Sequence, residues 1–328
     1  MRNWHMLSSM ALSLVLSLSG CTLQGETRPT VMKLSEPTAN AVDGDMAESG
    51  VIDLAAKSGH DADSLGLPSG KAGQCTFTLE VPKASAQAER DHLYSLLAMS
   101  VVRHDWQWPE ETRGHNIGSV LVKNGTGEVV YYARNSNRVL TNGSQHGEVR
   151  LVTNFLKCEG EGSYLKDYTL YTTLEPCIMC AGMLTMTQVS RVVYVQKDPA
   201  YGDTQEAIVN AGYPICYPEA SVNSTFKQRL EADFELWRER TGQNSITRWL
   251  LGDSAKAVYI EAEDKLNAYL SGQEALLFPE NATVLKQISD FLFIKDEVGR
   301  VIGKNVLPEH FGEELAVQCP TGKFKAEH

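Results

Sequence analysis

Residues 168–186 read Tyr168-Thr-Leu-Tyr-Thr-Thr-Leu-Glu-Pro-Cys-Ile-Met-Cys-Ala-Gly-Met-Leu-Thr-Met186. The first part, Tyr168–Thr173, is aromatic and β-branched, which reads as a strand. From Cys177 to Met186 the stretch reads as a helix. Pro176 suits its first turn, where a missing N–H costs nothing. Cys177 and Cys180 stand at i and i+3, so a helix turns both thiols to one side. Working outward, Arg191–Gln196 reads as the next strand. Upstream, Gly118–Lys123 and Glu128–Ala133 read as strands joined by the turn Asn124-Gly-Thr-Gly127. A helix begins near His146, and another opens near Glu89 with Leu93, Leu96, Leu97, Val101 and Val102. Strands alternating with helices predict an α/β sandwich with parallel pairs at its end.

The chemistry lies in His146-Gly147-Glu148 and Pro176-Cys177-Ile-Met-Cys180. Both thiols sit at a helix N-terminus, which favours thiolates. His146 adds an imidazole. Three protein ligands leave a tetrahedral zinc one open position for water, as in catalytic sites. Glu148 is two residues from the histidine and is not needed as a ligand. It can take a proton from that water and pass it to a substrate nitrogen. Two other readings remain open here. Cys177 and Cys180 could form a redox pair. Alternatively, a structural zinc could be closed by Cys158 or Cys216 as fourth ligand.

H-x-E upstream of P-C-x-x-C resembles the signature of the zinc deaminases. Thr172–Gly182 is similar to the TxEPCxMCAGA motif of the cytidine deaminase superfamily, in the branch of tRNA adenosine and guanine deaminases. Ser190-Arg-Val-Val-Tyr194, Lys197-Asp-Pro-Ala-Tyr-Gly202 and Gly118-Ser-Val-Leu-Val122 resemble further stretches of that branch. The likeness covers roughly residues 86–218. It implies a three-layer α/β/α sandwich with a five-stranded mixed sheet and zinc (Zn2+) held at two helix N-termini. It further implies that His146, Cys177 and Cys180 are the ligands and Glu148 the proton shuttle. Asn135 would be a substrate contact, the Gly147 N–H would hold a ring carbonyl or nitrogen, and the Glu175 carbonyl would receive the departing amine. Asp198 would lie near the entrance, within reach of a ribose. The family usually has alanine where Gly147 stands, and glycine is expected to open space beside the base.

The 328-residue chain has 30 Lys+Arg against 41 Asp+Glu, a net charge of −11, and 42% hydrophobic residues. That composition supports a packed core and excludes wholesale disorder. Within residues 86–218 acids outnumber bases fourteen to eleven. This argues against a protein that lives on nucleic-acid phosphates. Residues 1–20 read as a signal peptide with an apolar stretch from Met6 to Leu18, too short for a typical membrane-spanning helix. Leu18-Ser-Gly-Cys21 resembles a bacterial lipobox, so Cys21 is expected to carry lipid, with Thr22 leaning toward the outer membrane. The expected location is a membrane surface facing the periplasm. Residues 21–72 read as a tether, 73–218 as the deaminase domain and 219–328 as a mainly helical extension, with helices at 224–240, 253–271 and 282–293. An exported location permits disulfides among Cys75, Cys158, Cys216 and Cys319. In the extension, Trp237, Trp249, Tyr259, Tyr269, Phe291 and Phe293 are expected in the core, and the extension is a candidate cover for the site. The resulting expectation is a hydrolytic deaminase of a purine-type base, nucleoside or nucleotide, with guanine or adenine favoured and a homodimer as a candidate assembly. The rivals are a polynucleotide deaminase or toxin and a catalytically silent zinc lipoprotein.

Overall fold

A computed structural model describes residues 82, 84–110, 113–159, 162–210, 217–295, 297–298 and 300–304. The lipobox, the tether, Cys75, Cys216, Cys319 and the side chain of Cys158 lie outside the described residues. Helix α1, Ala86–His104, starts at Ser85, whose hydroxyl accepts the Ala88 N–H at 3.1 Å. Strands β1, Gly118–Lys123, and β2, Val129–Arg134, follow. The turn between them places Gly125 and Gly127 at φ 80° and 71°, a region open to glycine. Then come α2, Gly147–Glu159, β3, Tyr168–Leu174, α3, Ile178–Met186, β4, Arg191–Gln196, α4, Thr204–Asn210, and β5, Glu219–Ser221.

The sheet order is β2-β1-β3-β4-β5. β1 runs antiparallel to both β2 and β3, whereas β3, β4 and β5 are parallel. This is the expected cytidine deaminase-like α/β class with a five-stranded mixed sheet. Strands β1 to β4 and helix α3 start and end within a few residues of their sequence reading, and α1 and α2 start within a few; α4 and β5 were not read. The three residues of β5 are too few to show a period. Parallel strands need helical crossovers, and α3 and α4 supply those between β3, β4 and β5.

The extension contributes α5, Thr225–Thr241, α6, Ile246–Trp249, α7, Asp253–Leu270, and α8, Ala282–Leu292, preceded by a 3-10 turn at Pro279–Asn281. A hairpin of β6, Phe293–Lys295, and β7, Val301–Lys304, which the helical reading lacked, follows α8. These helices do not form a separate unit. They contact α1, β2, β4 and one another. Leu230, Tyr259, Leu266 and Ile288 share one buried core with Leu93, Leu97 and Val193. A smaller core on the other sheet face holds Leu121, Leu151, Phe155, Leu170, Leu184 and Val192 under α2 and α3. The described part of the extension therefore backs the α1 face. Trp249, Tyr259, Tyr269 and Phe291 are buried, and Trp237 and Phe293 pack partly buried against the same core.

Helix α1 is buried along most of its length, so its polar residues need closed partnerships. Glu89 accepts the N–H groups of Leu277 and Phe278 and the Asn281 amide. Asp91 receives both terminal nitrogens of Arg191 at 2.7 Å and the Tyr171 hydroxyl at 3.1 Å. No helix among the described residues is long and apolar enough to cross a membrane.

Candidate metal centre and active site

The metal-ligand cluster forms where α2 and α3 begin, beyond the ends of β2 and β3. His146 immediately precedes α2, and its carbonyl accepts the Arg150 N–H at 3.0 Å. Cys177 is the N-cap of α3 with an extended backbone, and Cys180 lies one turn on. His146 Nδ1 is 3.7 Å from Cys177 Sγ and 3.6 Å from Cys180 Sγ, and the two sulfurs are 3.7 Å apart. A tetrahedral zinc with ordinary Zn–S and Zn–N bonds needs S···S and S···N edges of about 3.8 and 3.6 Å. The three ligand atoms therefore already stand at the edges of one tetrahedral face, and the chain fits zinc through His146, Cys177 and Cys180.

The thiols and the imidazole are electrically coupled. The hydrogen bond between Cys177 and Cys180, with help from His146, lowers the Cys177 pKa to about 4. The same hydrogen bond, together with burial, pushes the Cys180 thiol up. The Cys177 sulfur in turn raises the His146 pKa. Metal binding through both sulfurs needs both as thiolates, so it releases thiol protons. Glu148, in the first turn of α2, is 3% exposed. Its Oε1 accepts the Thr172 hydroxyl at 3.1 Å, and its Oε2 lies 3.6 Å from Cys180 Sγ. Burial raises its pKa, as suits a carboxyl that must hold and release a proton. Thr172 was not singled out in the sequence. Its signal is its register: on β3 it shares the inward side of Leu170, which faces α2.

Asn135 follows β2 and is fully buried. Its Oδ1 accepts the Gly147 N–H at 2.6 Å, so in this geometry the two expected substrate contacts engage each other. Asn135 Nδ2 is buried with no hydrogen-bond partner among the described residues. The expectation for Gly147 as a spacer needs correction. A methyl group there would lie 3.3 Å from the Ala133 carbonyl and 3.4 Å from Gly118 Cα. The missing side chain relieves the ends of the strands and opens no room beside Glu148.

Glu175 and Asp198 build a turn. The Glu175 carboxylate accepts the N–H groups of Asp198 at 3.0 Å and Asp203 at 2.8 Å. Asp198, buried, accepts those of Ala200 and Tyr201 at 2.9 and 3.0 Å. Gly202 closes the turn so tightly that a Cβ would sit 2.1 Å from Glu175 Oε2. Arg113, which no motif marks, was missed. Its guanidinium donates to the Asn135 carbonyl and to Asp105, and its N–H donates to the Gln107 side chain. Gln107 pairs in turn with Asn116, and Asn116 donates to the Leu250 carbonyl at 3.0 Å. Twenty-two residues separate Arg113 from Asn135, so no local pattern could join them.

The cytidine and deoxycytidylate deaminase zinc-binding region matches residues 89–196, which include His146, Glu148, Cys177 and Cys180. A tRNA-specific adenosine deaminase of Agrobacterium fabrum is 30% identical over 127 residues, 38% of this chain and 81% of that protein. One from Bacillus subtilis is 38% identical over 87 residues, 26% of this chain and about half, 52%, of its own length. A solved guanine deaminase from Bacillus subtilis is 20% identical, covering 47% of this chain and 96% of its own, with a TM-score of 0.28. The sequence likeness thus falls on the stretch that builds the histidine–cysteine cluster and extends over most of the Agrobacterium protein, and by that measure the chain belongs to the cytidine and deoxycytidylate deaminase zinc-binding family.

Proposed function

We propose that this protein is a hydrolytic deaminase of a purine-type base, nucleoside or mononucleotide. The observation that carries the reading is the position of Glu148: a buried carboxyl held by Thr172 and 3.6 Å from a ligand sulfur, beside a three-ligand set that leaves a tetrahedral metal open. Zinc supplies there the Lewis acidity that makes water a nucleophile near neutral pH. Glu148 would accept one proton from the attacking water and pass it to the ring nitrogen as the C–O bond forms; it would then take the second proton from the new hydroxyl on the ring carbon and pass it to the amine as the C–N bond breaks. Its burial keeps it able to hold that proton. Asn135 offers its unpaired amide N–H groups to a substrate acceptor, with Gly147 and Arg113 fixing its orientation. The backbone carbonyl of Glu175 is the proposed acceptor for the departing amine, and the turn at Asp198 borders the entrance.

A small substrate is favoured over a polymer by how three arginines behind the site are used. Arg113, Arg134 and Arg150 all turn inward, to the Asn135, Val101 and Arg134 carbonyls respectively. Cations that hold the fold are not available to neutralise a phosphate backbone. The names of the curated relatives make tRNA the rival substrate. Ammonia release should be measured on guanine and adenine, their nucleosides and mononucleotides, tRNA, and single-stranded RNA and DNA, at about 50 and 200 mM salt, where phosphate contacts show their effect. Release from small purines with little salt dependence is expected. Activity confined to polymers and collapsing at the higher salt would reject the small-substrate reading, and no release from any substrate would favour a silent zinc protein. The cellular setting proposed with this activity is a lipid anchor at Cys21, which Cys21→Ser should abolish in membrane fractionation.

A further inference from the structure

A pocket of about 390 Å3 lies on the α1 side of the sheet, away from the metal-ligand cluster. Its walls come from α1, the β1–β2 turn, the first residues of β3 and β4, and the start of α8. The cluster stands beyond the last residue of β3, Leu174, whereas the pocket is lined by Thr169 near its beginning. At about 3.3 Å per residue these positions are roughly 17 Å apart along the strand. The volume falls in the range of small-molecule sites.

The lining has a single sign of charge. Arg90, Lys123 and Arg191 contribute cations, and no acidic side chain among the described residues lines it. This stands out in a chain with a net charge of −11. Asp91, behind the wall, engages both terminal nitrogens of Arg191 at 2.7 Å and offsets one of the three charges. The Nε atoms of Arg90 and Arg191 are buried without a hydrogen-bond partner among the described residues. Buried donors left unpaired are costly, and a bound acceptor would relieve them. The Tyr94 hydroxyl is committed to the Gly127 carbonyl at 2.5 Å, which fixes one wall, and the Tyr94 and Tyr171 rings, 5.0 Å apart, with Val284 supply an apolar side.

The geometry points to a second ligand site here, for a small phosphate-bearing molecule. A carboxylate needs one guanidinium fork. Cations reaching in from one helix and the ends of two strands suit the several oxygens and higher charge of a phosphate group, and the aromatic and apolar wall suits the organic part of a phosphate ester. Arg90 and Lys123 carry the recognition, and Arg191, held by Asp91, fixes the floor.

The test is titration calorimetry of the zinc-loaded protein with inorganic phosphate and with ribose 5-phosphate, at constant ionic strength. Saturable binding of both probes is expected. Arg90→Ala should weaken it about tenfold or more, the scale of a hydrogen bond to a charged group. Lys123→Ala should weaken it in the same direction. Both positions are partly or fully exposed, so the variants should keep the fold, which circular dichroism checks. Glu148→Ala should leave phosphate binding unchanged, which separates this pocket from the metal centre. Vesicles containing phosphatidylglycerol distinguish a lipid headgroup from a free ester. Binding to vesicles alone, no saturable heat from either small probe, or phosphate binding indifferent to Arg90→Ala would each overturn the assignment.

Discussion

The sheet face under α2 and α3 carries Thr172, Glu148 and the histidine–cysteine cluster within a small apolar shell, whereas the face under α1 is a broad apolar core extending from Leu93 to Leu292. On the first face residue identity is set by chemistry: only a few side chains bind zinc or shuttle protons. On the second it is set by volume and apolarity, which many sequences satisfy. Loss of a group from the first should therefore remove function with little loss of fold, and loss from the second the reverse.

The largest expected effect is on the first face. Glu148→Ala removes the proposed proton shuttle but none of the three metal-ligand candidates, so turnover should fall by at least about 10²–10⁴-fold. Zinc should stay near one per chain, with thermal stability close to that of the parent protein. Retained turnover in a folded, zinc-loaded variant would dissolve the distinction between the faces. On the second face, Leu266 in α7 is fully buried. Leu266→Ala should cost about 2–5 kcal/mol in denaturant unfolding. Below its melting range the variant should keep full zinc content and kcat; zinc loss from the still-folded protein would show that the two cores are mechanically one.

The smallest expected effect sharpens the comparison by titrating the first face. Glu219 on β5 has its pKa pushed up to about 8 by burial and by the negative charge of Glu175. Between its ordinary value of 4.5 and about 8, the folded protein holds a proton that the unfolded chain has released. Stability gained from this group is thus complete below pH 4.5 and declines as pH rises toward 8. Glu219→Gln should flatten that decline and stabilise the protein at pH 8 relative to pH 5 by more than about 1.4 kcal/mol, the equivalent of one pKa unit. Parallel pH profiles of unfolding free energy for the two proteins would refute it.

The same contrast explains how far the sequence could be read. His146, Glu148, Cys177 and Cys180 were legible because their spacing has few other uses, and β3 and β4 because their Val, Tyr and Thr runs are long enough to show a period. The layering of the extension was not legible: amphipathic helices declare that they bury a face but not which partner covers it. The mutual engagement of Asn135 and Gly147 was hidden for another reason. It depends on where two helix and strand ends meet, and a residue can be assigned as a substrate contact without revealing that its neighbour already holds it. Arg113 had no motif to mark it: Asp105 and Gln107 lie just upstream, but Asn135 is 22 residues away on another segment.

The Leu250 carbonyl, which accepts from Asn116, begins a line that runs through Gln107 and Arg113 to Asn135. The chain is therefore not modular in the way its family match would invite. Cutting it after residue 218 would do more than strip a covering from α1: it would free the strap that presses on the back of Asn135 and leave the residues matched to the family without the far end of their own scaffold. Any shortened form meant to capture the catalytic unit should begin from the intact C-terminal helices and remove residues only beyond them.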